Sequence, residues 1–384
     1  MITSKSLRGR REVMSVMLRV SFFIVFGLSV IFLVSCGNST GSTESLSNQE
    51  EVGSSSAAPE SAELNTVESI IEAGKEEGEL IWYAGMNAGQ MNQIAEQFME
   101  AYPEIRVEAI ALGPDEASAR MITEYRANRH NVDIISTGSW SFDQVKREEL
   151  IQPFRLPDDV TATLGEGTYD EEGFWLSQYA LTYPISFNTQ KLMEAGLEAP
   201  DSYEDFTQPE WKGKFAVDPN YNFEWYSALK QALGDEEAKD LLQRLAANDP
   251  LFRDLGTMPD LLEAGEFVAT LHAFGYNIDM RKKNGGSVDY VNPVPTISIL
   301  QPSGIALHAP HPNAAKVFQL WMASAEAQQF LNDVLNRTST HKGINNNFEV
   351  WDPSRFEYFI SDPNEGGDYE AIRKEYQQFF GIGG

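Results

Sequence analysis

Apolar and polar positions follow two different spacings along the chain, which indicate helices and strands in turn. Between residues 67 and 150, segments with apolar residues every three to four positions alternate with short, nearly continuous apolar runs. Strands separated by helices form parallel pairs, so this order predicts an open sheet with helices on both faces. The predicted helices are 67–77, 90–102, 115–128 and 141–150, and the strands are 79–83, 105–112 and 132–136.

The second half of the chain predicts another lobe. The β-rich segment Trp175–Asn188 contains Pro184, which suits a chain that crosses between lobes better than a central strand. Further alternation follows, and the helical spacing of 312–334 predicts one long helix. We therefore expect an α/β protein of two lobes with mixed sheets. The predicted lobes are 63–182 plus 296–384 and 183–295, joined by two hinge crossings at Tyr183–Asn188 and Asn292–Pro295.

The N-terminus has the pattern of an export signal. Five basic residues precede the apolar run Val20–Val34, which is 15 residues long, whereas a membrane-spanning helix needs about 20. Leu33–Cys36 resembles the bacterial lipobox, after which Cys36 carries diacylglycerol and palmitate chains. We expect residues 1–35 to be a lipoprotein signal peptide. The alternative is a buried cysteine in an uncleaved signal anchor.

Residues 36–62 lack the composition of a folded domain. Residues 37–62 contain eight Ser and four Glu but no Lys, Arg or aromatic residue. Such a segment cannot bury enough apolar area to offset the entropy of ordering, so we expect a flexible tether. A coil of this length spans roughly 28 Å, which holds a folded body close to a membrane surface.

Composition and charge narrow the classes of protein to which the chain can belong. Of 384 residues, 42% are hydrophobic and 11% aromatic, which is typical of a globular protein. The net charge of −28 argues against nucleic acid as a partner, because phosphate binding needs a basic face. A single cysteine excludes an intramolecular disulfide framework and a cysteine-rich zinc module.

Several segments, taken in order, resemble bacterial extracellular solute-binding proteins of the ferric-iron type. These segments are Lys75–Tyr83, Phe98–Glu104, Phe187–Thr189, Glu210–Phe215, Ala264–Glu266, Pro310–Lys316 and Phe379–Gly381. The resemblance implies the two-lobed, type 2 periplasmic-binding fold, without a cofactor. It also implies a solute held between the lobes and delivery of that solute to an ABC permease.

The resemblance leaves two ligand classes open. Ferric-binding members resemble one another in having an adjacent pair of tyrosines, which lies just after the strand that follows a Gly-Glu turn. Phenolate is a hard ligand that suits Fe(III). Here the corresponding residues are Phe274, Gly275 and Tyr276, so only one phenol remains. We therefore expect a small organic molecule or anion and no metal. Ferric iron, with Tyr276 as its ligand, is the alternative.

Eight residues near predicted strand ends are candidate ligand contacts, because solutes bind where strand ends and helix N-termini converge in such sheets. They are Tyr83, Thr137, Trp140, Asp218, Tyr221, Trp225, His272 and Tyr276. For each aromatic residue the alternative is ordinary packing in a core. His308 and His311 could form a metal pair, but a loop that leads into the helix starting at Pro312 explains them better.

Catalysis is not expected. The sequence lacks a Walker loop and a His-Glu-x-x-His helix, and its only cysteine lies at the lipidation position. The expected protein is a monomeric solute-binding lipoprotein of an ABC importer, which contacts the membrane through its lipid anchor and faces the periplasm or the cell exterior. A sensory lipoprotein that partners a receptor is the other alternative.

Overall fold

A computed structural model of the protein describes residues 66–347, 349–350 and 357–382. The predicted signal peptide, the lipidation site at Cys36 and the tether lie outside the described residues. Within the described part of the chain, no helix is both long and apolar enough to cross a membrane.

Strands and helices alternate through the described residues. The strands are β1 Glu79–Ala84, β2 Arg106–Ala111, β3 Ile134–Ser136, β4 Ile151–Gln152, β5 Leu176–Tyr183, β6 Ile185–Asn188, β7 Phe215–Val217, β8 Leu251–Phe252, β9 Ala269–Thr270, β10 Val288–Val291, β11 Thr296–Ala306 and β12 Tyr358–Ser361. The α-helices are α1 Val67–Glu77, α2 Ala88–Ala101, α3 Pro114–Arg126, α4 Ser139–Arg147, α5 Asp158–Thr161, α6 Thr189–Glu194, α7 Phe223–Leu233, α8 Asp235–Ala247, α9 Met258–Glu263, α10 Gly275–Lys283, α11 Pro312–Met322, α12 Ala325–Asp333 and α13 Tyr369–Phe379. Two short 3-10 helices cover Tyr203–Thr207 and Pro209–Trp211.

The strands form two mixed sheets, which confirms the predicted α/β class. The first sheet has the order β12-β11-β3-β1-β2, and β4 and β5 also pair with β11. Strand β1 runs parallel to β2 and β3, as the alternating pattern predicts, whereas β11 runs antiparallel to β3, β4 and β5. The second sheet has the order β10-β6-β9-β7-β8.

The chain passes between the two sheets at two places. Strand β5 belongs to the first sheet and β6 to the second, with only Pro184 between them. The chain returns between β10 and β11 through residues 292–295, where the Val294–Pro295 peptide bond is cis. The action of these crossings as hinges, and the residue boundaries of the lobes, remain predictions.

Helix α13 packs on the second lobe, although the predicted boundary assigns residues 296–384 to the first. Its buried Tyr376 donates a hydrogen bond to the carbonyl oxygen of Asp218 and lies 5.9 Å, between ring centroids, from Tyr226 of α7. Tyr369 of the same helix is buried in the same hydrophobic cluster. The aromatic residues of α13 bring the C-terminal segment back to α7 and α8.

Close packing joins helix α10 to the first crossing. A Cβ atom at Gly275 would lie 3.0 Å from Cδ of Pro184, 3.0 Å from the carbonyl oxygen of Thr182 and 2.9 Å from Cγ2 of Val350. Contacts this short leave room only for a hydrogen atom, so the start of α10 is in direct contact with the backbone that connects the sheets.

Candidate functional site

A cavity of about 470 Å³ lies between the two sheets. This volume is in the range of small-molecule sites. The first lobe contributes the N-terminal ends of α2, α3 and α4 and the strand β5, and the second contributes the starts of α7 and α10 and residues 254–256. Because both lobes supply its wall, a solute in this cavity would contact both halves of the protein.

Arg337 is the only basic residue among the described residues that line the cavity. It follows α12 and is 8% exposed. Its Nη2 donates to Oε1 of Gln90 at 2.7 Å, whereas its buried Nη1 has no hydrogen-bond partner among the described residues. A buried guanidinium donor without a partner is costly, so this nitrogen is well placed to bind an anionic group of a solute.

Tyrosine rings hold Arg337 in this position. Its guanidinium carbon lies 4.2 Å from the ring centroid of Tyr276 and 5.1 Å from that of Tyr179. Burial opposes ionisation of Arg337, but the two tyrosines keep the pKa of the guanidinium above its ordinary value. Phe274 stacks on Tyr276 at 5.8 Å and extends the aromatic wall. The result is a fixed positive charge between aromatic faces.

A second tyrosine of β5 lines the cavity beside Tyr179. Tyr183 is 4% exposed, and burial raises its pKa well above the ordinary value; burial also raises the pKa of Tyr179. Both phenols are therefore neutral at physiological pH and can donate or accept a hydrogen bond.

Two carboxylates lie where helices of opposite lobes meet. The backbone N–H of Trp140, in the first turn of α4, donates to Oε1 of Glu224 in α7 at 2.7 Å. A carboxylate at a helix N-terminus is favoured by the free N–H groups and the helix dipole. Asp115 of α3 lines the same part of the cavity and accepts a hydrogen bond from Oγ of Ser141 at 3.0 Å.

Three of the eight predicted contact residues line the cavity: Trp140, Tyr221 and Tyr276. Trp140 packs edge-on against Phe223 at 5.5 Å, so this aromatic pair spans the two lobes. Tyr221 is 46% exposed at the cavity wall, which is unusual for a large aromatic residue. Contact between these residues and a solute remains a prediction.

Tyr83 and Thr137 do not belong to the cavity lining. Tyr83 is 1% exposed; its hydroxyl donates to Oε2 of Glu124 at 3.1 Å, and Arg120 lies over its ring. Thr137 is buried, and its backbone N–H donates to the carbonyl oxygen of Pro302. The next residue along the chain, Gly138, does line the cavity. The predicted strand end is thus adjacent to the site, but these two side chains pack elsewhere.

Asp218 is also outside the lining, although the loop that it begins reaches the cavity. Its Oδ1 accepts hydrogen bonds from the backbone N–H groups of Asn220 and Tyr221, and its Oδ2 accepts one from Leu255. Asp218 therefore holds two segments of the cavity wall in place by hydrogen bonds, although it does not line the cavity itself.

Trp225 and His272 are packed together in the second lobe, away from the cavity lining. Their ring centroids are 4.9 Å apart, and both residues are at most 1% exposed. Asn222 is hydrogen-bonded to the His272 ring, and burial lowers the pKa of His272 to about 3. For Trp225 the structure matches the core-packing alternative: the helical spacing of α7 turns Trp225 into the core and leaves Glu224 toward the cleft.

For His308 and His311 the sequence favours a loop over a metal pair. Among the described residues, no group of three or more His, Cys, Asp or Glu side chains could hold a metal ion. The ring of His311 is hydrogen-bonded to the buried Asp133 at 2.9 Å, just before α11. This contact fits a loop that leads into α11.

The family model for bacterial extracellular solute-binding proteins matches residues 93–357, which is more than half of the chain. The chain belongs to this family. This confirms the resemblance that the sequence segments indicate, and it assigns the protein to the extracytoplasmic solute-binding class.

Individual relatives agree with the family match. An Fe(3+)-binding periplasmic protein of Serratia marcescens is 24% identical over 230 residues; the alignment covers 57% of this chain and 66% of that protein, slightly less than two thirds. The periplasmic binding protein AfuA of Actinobacillus pleuropneumoniae, with fructose 6-phosphate bound, has a TM-score of 0.68 at 18% identity over 80% of this chain and 99% of its own. Iron-bound HitA of Pseudomonas aeruginosa has a TM-score of 0.67 at 20% identity, covering 78% and 99%. These structures show that the chain has the two-lobed periplasmic-binding fold.

Proposed function

We propose that this member of the family is the substrate-binding lipoprotein of an ABC importer and captures a small anionic organic solute in the cleft. The observation that carries the proposal is the unpartnered Nη1 of Arg337, buried in the wall of a cavity that both lobes line. A carboxylate or phosphate group can accept hydrogen bonds from guanidinium donors in parallel. The solute would then pass to the permease chemically unaltered.

Aromatic surfaces complete the proposed site. Trp140, Tyr221 and Tyr276 provide faces against which the organic part of a solute can pack, and a mostly apolar wall with a few polar groups is typical of such sites. The bound sugar phosphate of AfuA, which has the same fold, supports an organic anion as the class of ligand.

Ferric iron is the second candidate, since the Serratia relative and HitA are named for iron and four tyrosines line the cleft. The position of Arg337 weighs against it. Its guanidinium lies over the rings of both Tyr179 and Tyr276, so a trivalent cation bound to either phenol would be close to a fixed positive charge.

The proposed mechanism is closure of the lobes over the solute. A ligand that contacts both walls favours the closed form, and a preference of about 5.5 kcal/mol moves a two-state equilibrium almost fully. We expect small-angle scattering to show compaction when the solute is added. Identical profiles at saturation would contradict closure.

The proposal also places the protein at the cell membrane. Lipidation of Cys36 would hold the monomer at the outer face of the cell membrane, with residues 36–62 as the tether. Metabolic labelling with a palmitate analogue tests the anchor: the wild-type protein should be labelled, and a Cys36→Ala variant should not.

Arg337 provides the direct test of solute binding. Native mass spectrometry of protein purified from its own host should reveal a bound anionic compound, which is then titrated calorimetrically. The Arg337→Gln variant should bind it at least about tenfold more weakly, whereas Arg129→Gln, a change at an exposed arginine, should leave affinity unchanged. Unaltered affinity in Arg337→Gln would overturn the anion site, and tight binding of ferric citrate with a phenolate charge-transfer band would favour iron.

A further inference from the structure

The cavity that contains Arg337 also carries unpaired charge of the opposite sign. Asp115 and Glu224 both line it, and neither they nor Arg337 forms an ion pair with any residue in the described part of the chain. Tyr183 interacts electrostatically with both Glu224 and Tyr276, and Tyr276 is the residue whose ring lies under Arg337. Asp115, Glu224 and the guanidinium of Arg337 therefore lie in one cavity with Tyr183 and Tyr276, and a third carboxylate, Asp254, lines it as well.

Glu224 has only one of its two oxygens engaged. Oε1 accepts the hydrogen bond from the Trp140 N–H, which accounts for its position at the start of α4. Oε2 has no hydrogen-bond partner among the described residues. The oxygen lies close to Gly138, where a Cβ atom would be 3.5 Å away, so no side chain covers it from that direction. An acceptor is thus available to a donor of the solute.

Two neighbouring carboxylates are an unfavourable arrangement without a cation. Burial raises the pKa of Glu224 to about 7; the Trp140 N–H opposes this shift, and the charge of Asp115 adds to it. A cationic group between the two acids would remove the repulsion and satisfy the free oxygen. An ammonium group suits this role because it can donate up to three hydrogen bonds.

We propose that the solute is a zwitterion, whose anionic group binds Arg337 and whose ammonium group binds Glu224 and Asp115. This inference rests on the proposed function, since it assumes that the cleft holds a solute. It adds a requirement to the anion site: the ligand also carries a positive charge, separated by a linking chain from its carboxylate or phosphate group.

Calorimetric titration of the wild-type protein with three matched series of compounds tests the proposal. The series are linear ω-amino carboxylates from glycine to 6-aminohexanoate, the corresponding carboxylates without the amine, and the corresponding amines without the carboxylate. Phosphoethanolamine distinguishes a phosphate from a carboxylate as the anionic group. We expect at least one zwitterion to bind about ten- to a hundredfold more tightly than its matched anion and amine, in line with hydrogen bonds to charged groups.

Two variants assign the charges to the residues. Glu224→Gln keeps an oxygen for the Trp140 N–H and should lower the zwitterion's affinity to that of the matched anion, about ten- to a hundredfold. Arg337→Gln should weaken both compounds. Glu96→Gln, at an exposed position in the middle of α2, is the matched control and should change neither affinity.

The outcomes separate this inference from the proposed function. If the anion without an amine binds as tightly as the zwitterion, or if Glu224→Gln leaves the zwitterion's affinity unchanged, the zwitterion is wrong while the anion site stands. If no compound of any series binds and ferric citrate does, both are wrong. Circular dichroism of each variant establishes that a loss of affinity does not result from unfolding.

Discussion

At the scale of single residues, Arg337 shows how a lone charge can be held in a cleft without an ion pair. One hydrogen bond to Gln90 and the faces of Tyr179 and Tyr276 fix its guanidinium, and one nitrogen is left free. Aromatic faces stabilise the cation without occupying its donors, unlike a carboxylate partner. The tyrosine rings are therefore one feature that holds the guanidinium in place for an anion.

Two substitutions of Tyr276 separate the ring from the hydroxyl. Tyr276→Ala removes the face under Arg337 and should weaken binding of the native solute about tenfold, because a desolvated cation–π contact contributes up to about 2 kcal/mol. Tyr276→Phe keeps the ring and should bind almost as the wild type does. Titration calorimetry measures both. A large loss in Tyr276→Phe alone would instead point to a phenolate ligand of iron.

We expect Trp225 to have a structural role rather than a ligand-binding one. It is 1% exposed and packs against Tyr203 at 5.3 Å and against His272. Trp225→Ala should lower the free energy of unfolding by about 3 to 5 kcal/mol through the cavity that it creates. Urea denaturation gives this value, and Trp225→Phe should lose less. A variant of wild-type stability with strongly reduced affinity would show that Trp225 contacts the solute after all.

At the scale of elements, acidic side chains accept hydrogen bonds from the N-terminal ends of other helices. Glu77, at the end of α1, accepts hydrogen bonds from the backbone N–H groups of Asn313 and Ala314 at 2.8 and 2.7 Å, so one helix caps another. The same α1–α11 contact is tight at Gly74, where a Cβ atom would lie 2.7 Å from Cγ2 of Val317. Glu224 caps α4 in the same way, but across the cleft.

The cap formed by Glu77 makes a specific prediction for stability. Glu77→Ala leaves two helix N–H groups of α11 without their acceptor and should lower the free energy of unfolding by about 1 to 2 kcal/mol. The exposed neighbour Glu76 is the control, and Glu76→Ala should change stability little. Equal stability of both variants in urea denaturation would mean that the cap contributes nothing.

At the scale of the whole molecule, the two lobes are joined by covalent crossings and by contacts over the cleft. The Trp140 N–H bond to Glu224 and the Trp140–Phe223 ring contact both span the cleft. Because Glu224 takes part in one of them, its ionisation couples pH to the stability of the protein as a whole.

The sign of this pH dependence follows from the raised pKa of Glu224, about 7 in the folded state against 4.5 in the unfolded chain. Between these values the folded protein retains a proton that the unfolded chain releases, so stability falls as pH rises through this window. The groups around Glu224 are Asp115 from α3, the Trp140 N–H from α4, Tyr183 from β5 and Tyr369 from α13.

Replacing Glu224 by Gln removes the ionisation. Compared with the wild type, Glu224→Gln should be more stable above pH 7, by roughly 3 kcal/mol, and equally stable below pH 4.5. Urea denaturation across this pH range measures the difference, with Glu96→Gln as the control. A stability difference that does not vary with pH would show that Glu224 does not titrate in this window.

The sequence predicted elements well where local pattern decides and less well where tertiary contacts do. Helix α1 has the predicted bounds of 67–77, since the Thr66 cap and Gly78 define its two ends. The predicted helix 312–334 is two helices, because the Ser324 side chain accepts a hydrogen bond from the Ala327 N–H and begins α12. Apolar spacing that continues across such a cap gives no sign of the break.

For the site, too, the sequence indicates what local pattern decides and misses what tertiary contacts bring together. Asp218, Tyr221 and Trp225 are predicted contacts, but Tyr221 and Glu224 line the cavity, because periodicity alone does not show which side chains of α7 face inward. Arg337 could not be found, because it is a single basic residue after a helix, and its neighbours in the cleft are distant in sequence.

The packing around Gly275 has a consequence for how the site can diversify. Any larger side chain there would collide with Pro184 and Val350, so position 275 is bound to the path that the backbone takes from one sheet to the other. The adjacent Tyr276 faces the cavity, and its ring contacts Phe274 and Arg337. Selection for a different cargo can therefore act on the contacts made at position 276, whereas a change one position earlier would require a new connection between the lobes.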